Sequence, residues 1–321
     1  MTSVKTENSR PSSSVALGWS RLPAAYAIPG SAPSLREARA YCARLARTHY
    51  ENFSVASWFL PRSLRQHFFN VYAYCRISDD LGDEVGDPAA SLELLDQWQR
   101  ELDACYQRTP KHPVFVALAE TVRQFDIPKH EFSDLLIAFR QDQTITRFDT
   151  FQDVQAYCKY SANPVGHLVL YLCGYLDGER QQLSDFTCTA LQLANFWQDV
   201  SVDYEKGRIY LPLEDLRRFG VTEEDIGRQQ NSAAFRGMMQ FEVDRARDWF
   251  RRGRPLVGKV DRELAIDLDL FSRGGMEILN AIEKQGFQVL GNRPNISKSR
   301  KLALVAHAAL AKMFGLSGGS R

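Results

Sequence analysis

From residue 35 onward the apolar positions recur every three to four residues, which is the spacing of amphipathic helices. Leu35, Ala38, Cys42, Leu45 and His49 lie on the first such stripe, and similar stripes continue toward the C-terminus. No run of residues alternates between apolar and polar with period two, so the pattern predicts no β-strand. We therefore expect an all-α fold.

Prolines and one glycine divide this pattern into about ten to twelve segments, because proline removes a backbone donor and ends a helix. The expected breaks are at Pro61, Pro88, Pro110 to Pro113, Pro128, Pro164, Pro212, Gly220 and Pro255. Two of the longer helices are predicted over residues 231–254 and 259–286. No linker interrupts residues 35–315, which we interpret as one domain. Residues 1–34, rich in Ser and Pro, are expected to be a flexible leader and 316–321 a frayed tail.

Composition narrows the possible functions. The 321 residues are 44% hydrophobic and 25% charged, which is enough apolar material for a substantial core. Forty Lys and Arg against 39 Asp and Glu leave a net charge of +1, which argues against a nucleic-acid-binding surface. Six widely spaced cysteines predict reduced thiols in a cytoplasmic protein, and no apolar run is long enough to span a bilayer.

The first chemically distinctive segment holds Asp79, Asp80 and Asp83. Asp79 and Asp83 are four residues apart, which on a helix places both carboxylates on one face about 6 Å from each other. The repulsion costs only a few tenths of a kcal/mol on a solvated surface. One such string is therefore compatible with an ordinary solvated helix.

A second segment repeats the spacing with Asp199 and Asp203. These aspartates lie among apolar residues such as Phe196 and Trp197, so part of the acidic face should approach the bundle interior. Buried carboxylates without cations are costly. Two facing pairs would bind Mg²⁺, with Mn²⁺ as the alternative ion, and Mg²⁺ commonly takes substrate phosphates as further ligands. The predicted metal ligands are Asp79, Asp80, Asp83, Asp199 and Asp203, and the predicted substrate is a diphosphate.

Basic side chains adjoin both acidic segments. Lys206 and Arg208 follow the second pair, Arg76 precedes the first by three residues, and Lys159 and Arg147 are further candidates. The planar guanidinium can donate two hydrogen bonds at once to phosphate oxygens. Each of these residues alone is typical of a protein surface, so their placement beside the acidic pairs is what favours diphosphate binding.

Two long motifs also carry a family resemblance. The first comprises Tyr72, Cys75, Arg76, Asp79, Asp80 and Asp83, and the second comprises Gln192, Asn195, Asp199, Asp203, Gly207, Arg208, Tyr210, Leu211 and Pro212. In both, the chain resembles the squalene and phytoene synthases, the head-to-head trans-prenyl synthases. The resemblance implies a single-domain helical bundle of the isoprenoid synthase fold with a central apolar cavity.

The resemblance also implies roles for residues outside the acidic pairs. A substrate-covering flap would contain Phe53 and Ser54, and Asn195 would contact the substrate. Tyr157, in the central helix break, and Tyr210 would stabilise a carbocation or orient the released diphosphate. Structural packing is an equal alternative for each tyrosine.

Departures from the family pattern indicate one branch. Gln198 and Val202 replace the usual Arg and Glu of the second motif, and Ala162, Asn163 and Pro164 replace the central Ala-Gly pair. The sequence here is similar to bacterial hydroxysqualene synthases of hopanoid synthesis. The resemblance implies conversion of presqualene diphosphate to hydroxysqualene, which a separate flavin-dependent reductase converts to squalene.

For this reaction we hypothesise that a held water quenches the cation, and Asn163 and Gln198 are the candidates for holding it. No nicotinamide cofactor is expected, since nothing resembles a dinucleotide-binding glycine loop. The alternatives are condensation of two farnesyl diphosphates to presqualene diphosphate, squalene or a carotenoid precursor, and a catalytically silent assembly subunit. The four aspartates and Arg208 count against the silent subunit. Poorly soluble substrates predict peripheral contact with the inner face of the cell membrane.

Overall fold

A computed structural model gives the fold of residues 19–48 and 62–297. Within these two stretches the chain forms twelve α-helices and no β-strand, so the predicted all-α fold is confirmed. The helices are α1 (Leu35–Thr48), α2 (Arg65–Asp83), α3 (Pro88–Tyr106), α4 (Pro113–Gln124), α5 (His130–Gln141), α6 (Phe151–Ser161), α7 (Asn163–Leu172), α8 (Gly178–Glu205), α9 (Leu213–Phe219), α10 (Glu223–Gly227), α11 (Ala233–Gly253) and α12 (Arg262–Lys284).

Several helices begin where the sequence predicts a break. Pro88 and Pro113 stand at the first position of α3 and α4, where a missing backbone N–H costs nothing. The Asp87 side chain caps α3 by accepting from the N–H of the second helical residue at 3.0 Å. Thr150 and Asp153 form a reciprocal capping box on α6. The predicted helices 231–254 and 259–286 correspond to α11 and α12.

The 28-residue α8 is the axis of the domain. It packs against α6, α7, α11 and α12, and the Trp197 indole donates to the Glu242 carbonyl of α11 at 3.1 Å. A second group of core residues, including Tyr74, Trp98 and Phe115, joins α2, α3 and α4. In the described stretches no helix is both long and apolar enough to cross a bilayer. The central apolar cavity stays a prediction.

A close backbone approach fixes α7 against α8. A Cβ atom added at Gly166 would lie 2.5 Å from the Cys188 sulfur and closer still to the Ser184 hydroxyl. A larger residue at position 166 would have to displace one of these two side chains, so glycine lets α7 lie close to α8 here. The contact sets the helix break at Asn163 against the middle of α8.

Part of the predicted flexible leader is packed on the bundle. The side chains of Leu22 and Tyr26 are buried, and the Arg21 guanidinium donates to the Val85 carbonyl at 2.5 Å. The Trp19 indole donates to a glutamine of α3 at 3.2 Å. The prediction of flexibility is therefore wrong for residues 19–26, where Leu22 and Tyr26 are buried and Trp19 and Arg21 bind the bundle. For residues 27–34 it stays a prediction. Residues 1–18 and the tail 316–321 lie outside the described residues.

A buried ion cluster joins α5, α7 and α8. The His167 Nδ1 atom lies 3.0 Å from the Glu131 carboxylate and its Nε2 atom lies 2.7 Å from Asp185. Burial alone lowers the pKa of His167, but the hydrogen bonds and charges of the two carboxylates outweigh it and raise the pKa to about 9. The ring is therefore an imidazolium that holds three helices together at neutral pH.

This cluster predicts a pH-dependent contribution to stability. A raised histidine pKa stabilises the fold fully below the unfolded value near 6.5, and the contribution is lost as the pH rises through about 9. Replacing His167 by Gln should lower the melting temperature by about 3 °C at pH 6 and by much less at pH 9.5. Thermal denaturation of the variant and of the wild type across this range tests it. A deficit independent of pH would contradict the assignment.

Candidate active site

Two helix ends carry the four predicted aspartates. Asp79 and Asp83 occupy the last two turns of α2, and Asp199 and Asp203 occupy the last two turns of α8. Each pair keeps the four-residue spacing that places both carboxylates on one face of its helix. The segment that follows α8 contacts the end of α2 and so links the two pairs.

A glycine turn brings that chain back to the end of α2. Gly207 adopts φ +81°, and the Arg208 N–H donates to the Asp203 carbonyl at 2.8 Å, which closes the C-terminus of α8. Arg208 Nη1 then donates to Asp83 Oδ1 at 3.0 Å, and Lys206 Nζ lies 3.4 Å from Asp83 Oδ2. Both predicted basic residues therefore lie between the two acidic pairs.

The carboxylates repel one another within and across the cleft. Burial and the charge of Asp83 raise the pKa of Asp79 to about 6, although half of this side chain stays exposed. Burial, followed by the charge of Asp199, raises the pKa of Asp203 to about 7, and Asp83 on the facing helix adds to the shift. A group of carboxylates held in this way favours a bound cation.

The carboxylates would suit a magnesium ion whose coordination is completed by the substrate. Over residues 19–48 and 62–297 no three acidic, histidine or cysteine side chains converge on one point. Mg²⁺ keeps several waters and commonly uses one or two carboxylates together with phosphate oxygens. Asp79 with Asp83, and Asp199 with Asp203, would each supply such a pair. The remaining ligands would be water and a diphosphate.

Asp80 does not face the cleft, although it was predicted as a metal ligand. Its side chain is buried, and both oxygens accept from the Arg76 guanidinium, Oδ2 from Nε at 3.1 Å. The Tyr26 hydroxyl donates to Oδ2 at 2.8 Å. The prediction is wrong because one residue along a helix turns the side chain about 100° away. Arg76 does border the cleft, since its Nη1 lies 3.7 Å from Asp79.

Arg293, which the sequence analysis missed, binds Asp199 of the second motif. Its Nη2 lies 3.0 Å from Asp199 Oδ2, and its Nε makes a shorter contact with Oδ1. The same Nη2 lies 3.4 Å from Gln198 Oε1, and Gln198 Nε2 donates to the Pro294 carbonyl at 2.5 Å. Gln198 thus fixes residues 293–294 on α8. A lone arginine in a Gly-Asn-Arg-Pro segment carries no sequence signal for this contact.

Asn163 and Gln198 cannot hold the same water. Asn163 is buried and its Oδ1 accepts from the Thr189 hydroxyl at 3.1 Å. Thr189 and Gln198 are nine residues apart on α8, which corresponds to about 13.5 Å and half a turn. The two candidates are therefore alternatives, because Asn163 contacts the face of α8 opposite to Gln198, and the Gln198 amide is already bonded to Pro294 and Arg293. Asn163 alone remains a candidate.

A second missed residue, Asp142, organises the aromatic side of the site. The Tyr157 hydroxyl donates to its Oδ2 at 2.9 Å and the Tyr210 hydroxyl to its Oδ1 at 3.3 Å. The Tyr210 ring stacks on Phe196 with the ring centroids 3.9 Å apart. Burial raises the pKa of Asp142 to about 6 against the lowering effect of Arg208. Asp142 is spaced from no other acid in a recognisable pattern, so the sequence gives no signal for it.

Two other basic candidates bind groups other than the four aspartates. Lys159 is exposed, and its ammonium lies 5.6 Å from the centre of the Tyr160 ring. Lys159 is two positions from the inward-facing Tyr157, which turns it to the opposite side of α6. Arg147 binds Glu223 at 2.8 Å, and its Nη1 donates to the Gly207 carbonyl at 2.6 Å, in the turn between Lys206 and Arg208. The prediction that Lys159 lies beside the acidic pairs is therefore wrong.

Of the remaining predicted substrate contacts, one lies in the described residues and two lie outside them. Asn195 is exposed on α8 one turn before Asp199, so it lies on the same face as the second acidic pair. Phe53 and Ser54 lie outside the described residues. The predicted flap therefore stays a prediction.

Comparison with known proteins identifies the family. The family model described as squalene/phytoene synthase matches residues 33–300. The chain belongs to the squalene/phytoene synthase family. Members of this family are enzymes that process prenyl diphosphates, and the two aspartate pairs lie within the matched region.

Individual family members resemble the chain over most of its length. A hydroxysqualene synthase of Rhodopseudomonas palustris is 33% identical over 244 residues, covering 75% of this chain and 82% of that protein. A 15-cis-phytoene synthase of Synechocystis sp. is 29% identical over 281 residues, covering 84% and 83%. The crystal structure of squalene synthase HpnC from Alicyclobacillus acidocaldarius is 44% identical with a TM-score of 0.76, covering 84% and 98%. These members differ in product, so family membership alone does not select the reaction.

Proposed function

We propose that the protein is a hydroxysqualene synthase, which converts presqualene diphosphate and water to hydroxysqualene and diphosphate in the synthesis of squalene and hopanoids. One observation supports a diphosphate as the substrate. The two pairs of carboxylates face each other, and Arg208 and Lys206 lie between them. Similarity to the hydroxysqualene synthase and to the HpnC structure supports this member of the family over the others.

The proposed reaction begins with cleavage of the carbon–oxygen bond to the diphosphate, whose oxygen keeps the electron pair. The carboxylate pairs would hold Mg²⁺, or Mn²⁺ in its place, which would supply charge neutralisation for this leaving group. Arg208 and Lys206 donate hydrogen bonds to the diphosphate oxygens, and Arg76 reaches the site from α2. These donors are fixed before ionisation, which lowers the cost of developing charge.

The carbocation then rearranges beside the aromatic group of Tyr157, Tyr210 and Phe196. This aromatic group would stabilise positive charge beside it, and the phenol protons are directed toward Asp142. Attack by water forms the new carbon–oxygen bond and releases one proton. This step neither oxidises nor reduces the substrate, so the proposal requires no nicotinamide cofactor.

Asn163 is the proposed holder of the attacking water. Replacing Asn163 by Ala should lower the hydroxysqualene share of the product about fivefold relative to unquenched hydrocarbons, because the water loses a hydrogen-bond partner. Gln198→Ala is the control, since its amide is committed to Pro294 and Arg293. Product analysis by mass spectrometry measures the ratio. A wild-type ratio in the Asn163 variant would remove this assignment.

The direct test is incubation with Mg²⁺ and presqualene diphosphate without a nicotinamide cofactor, in parallel with farnesyl diphosphate. Hydroxysqualene from the first substrate and nothing from the second would support the proposal. Presqualene diphosphate from the second substrate would instead assign the earlier condensing step, and a squalene-type or carotenoid-type hydrocarbon would assign the complete route, as in the similar phytoene synthases. Silence with both substrates would contradict the proposal.

The proposed product is a poorly soluble triterpene alcohol, which bears on the partners of the enzyme. We infer transfer of hydroxysqualene to a flavin-dependent reductase and peripheral contact with the inner face of the cell membrane, where such a molecule partitions. Sedimentation with lipid vesicles tests the contact, and absence of lipid-dependent sedimentation would contradict it.

A further inference from the structure

The chain ahead of the family-matched region reaches into the first aspartate motif. The match begins at residue 33, whereas Tyr26 is buried against α2 and donates to Asp80 at 2.8 Å. Residues 19–26 are held at several further points: the Trp19 indole on α3, the Arg21 guanidinium on the Val85 carbonyl, and the Ala25 carbonyl, which accepts from Tyr41 of α1 at 2.8 Å. This segment is therefore fixed relative to the cleft.

Asp80 is the node between this segment and Arg76. Its Oδ2 accepts from both the Tyr26 hydroxyl and Arg76 Nε, and its Oδ1 accepts from Arg76 Nη2. Tyr26 and Asp80 are 3% and 5% exposed, so no solvent replaces a lost donor. Two nitrogens of the guanidinium are thus committed on one edge, while Nη1 points toward Asp79 at 3.7 Å.

We propose that Tyr26 is a positioning residue which, through Asp80, holds the Arg76 guanidinium at the edge of the cleft for the substrate diphosphate. The inference rests on the proposed function. An arginine side chain has many rotamers. A guanidinium group that is hydrogen-bonded along one edge presents its other edge in a single direction. The Tyr26 hydroxyl fixes the plane of the Asp80 carboxylate, and the carboxylate in turn fixes the orientation of the Arg76 guanidinium.

Tyr26→Phe removes only the hydroxyl that binds Asp80. We expect the dissociation constant for inorganic diphosphate, measured calorimetrically with Mg²⁺, to rise about fivefold. The KM for presqualene diphosphate should rise similarly, with a smaller change in kcat. Tyr41→Phe is the matched control, because it removes a hydroxyl that anchors the same segment without touching Asp80. Its diphosphate affinity should stay within about twofold of wild type.

A merely structural tyrosine gives a different pattern. If both variants lose affinity equally, or neither does, the proposal is overturned, and melting temperatures establish that each variant is folded. A double-mutant cycle with Arg76→Lys adds a second readout. Tyr26→Phe should change affinity by less than about twofold in that background, because its effect passes through the arginine fork. Additive effects of the two substitutions on diphosphate affinity would contradict the inference.

The proposed reaction and the proposed role of Tyr26 are tested by different measurements. A wild-type protein that binds diphosphate but yields no hydroxysqualene contradicts the proposed reaction alone. In that case the difference between the Tyr26 and Tyr41 variants in diphosphate binding still decides the role of Tyr26.

Discussion

Replacing Asp203 by Asn should reduce turnover about a thousandfold and at the same time raise the melting temperature by about 1–2 °C. Asp203 is a carboxylate on which the proposed metal depends, so a neutral amide removes charge that the reaction needs. In the folded protein without metal, burial first and then the charges of Asp199 and Asp83 disfavour the charged form of this carboxylate. Loss of the charge therefore relieves repulsion in the free protein. Steady-state kinetics and thermal denaturation measure the two effects.

Glu205→Gln is the matched control for Asp203→Asn. Glu205 lies two residues away at the same end of α8, and its side chain is exposed. It should leave turnover within about twofold, because a two-residue step turns a side chain to the other side of the helix. Mg²⁺ with diphosphate should raise the melting temperature of this control and of wild type, but not of the Asp203 variant. Equal turnover in the two variants would contradict the metal assignment of Asp203.

Replacing Asp142 by Ala should lower kcat about a hundredfold with little change in KM. The carboxylate accepts from both Tyr157 and Tyr210, one on each oxygen, so its loss frees two phenols beside the proposed carbocation. Two buried hydroxyls without acceptors should also lower the melting temperature. Kinetics on the purified variant and thermal denaturation measure both consequences.

Two comparisons separate positioning by Asp142 from simple packing. Asp149→Ala removes an exposed carboxylate from the same connection between α5 and α6 and should leave kcat unchanged. Tyr157→Phe should cost little further activity in the Asp142→Ala background, since the phenol is already released there. A variant at Asp142 that keeps full turnover despite lower stability would show that the tyrosines only pack.

Local spacing explains what the sequence predicted correctly about the fold. The three-to-four-residue period, with Pro88, Pro113 and Pro164 at helix starts, depends only on neighbours along the chain. The carboxylate pairs follow from the same rule, because a four-residue step on a helix always shares a face. The packing of residues 19–26 is not predicted from the sequence, because a few apolar residues among Ser and Pro form no helical period.

The sequence by itself determined the helices, the family resemblance and the two acidic pairs with the basic residues after the second. Only the tertiary structure decided which single residues join them: Asp142 beneath two tyrosines, Arg293 on Asp199, and Tyr26 on Asp80. It also turned Asp80 and Lys159 away from the cleft and committed Gln198 to Pro294. Each of these contacts depends on how helices distant in sequence are rotated against one another. Periodicity fixes the faces of one helix, whereas packing of the whole core fixes which faces meet.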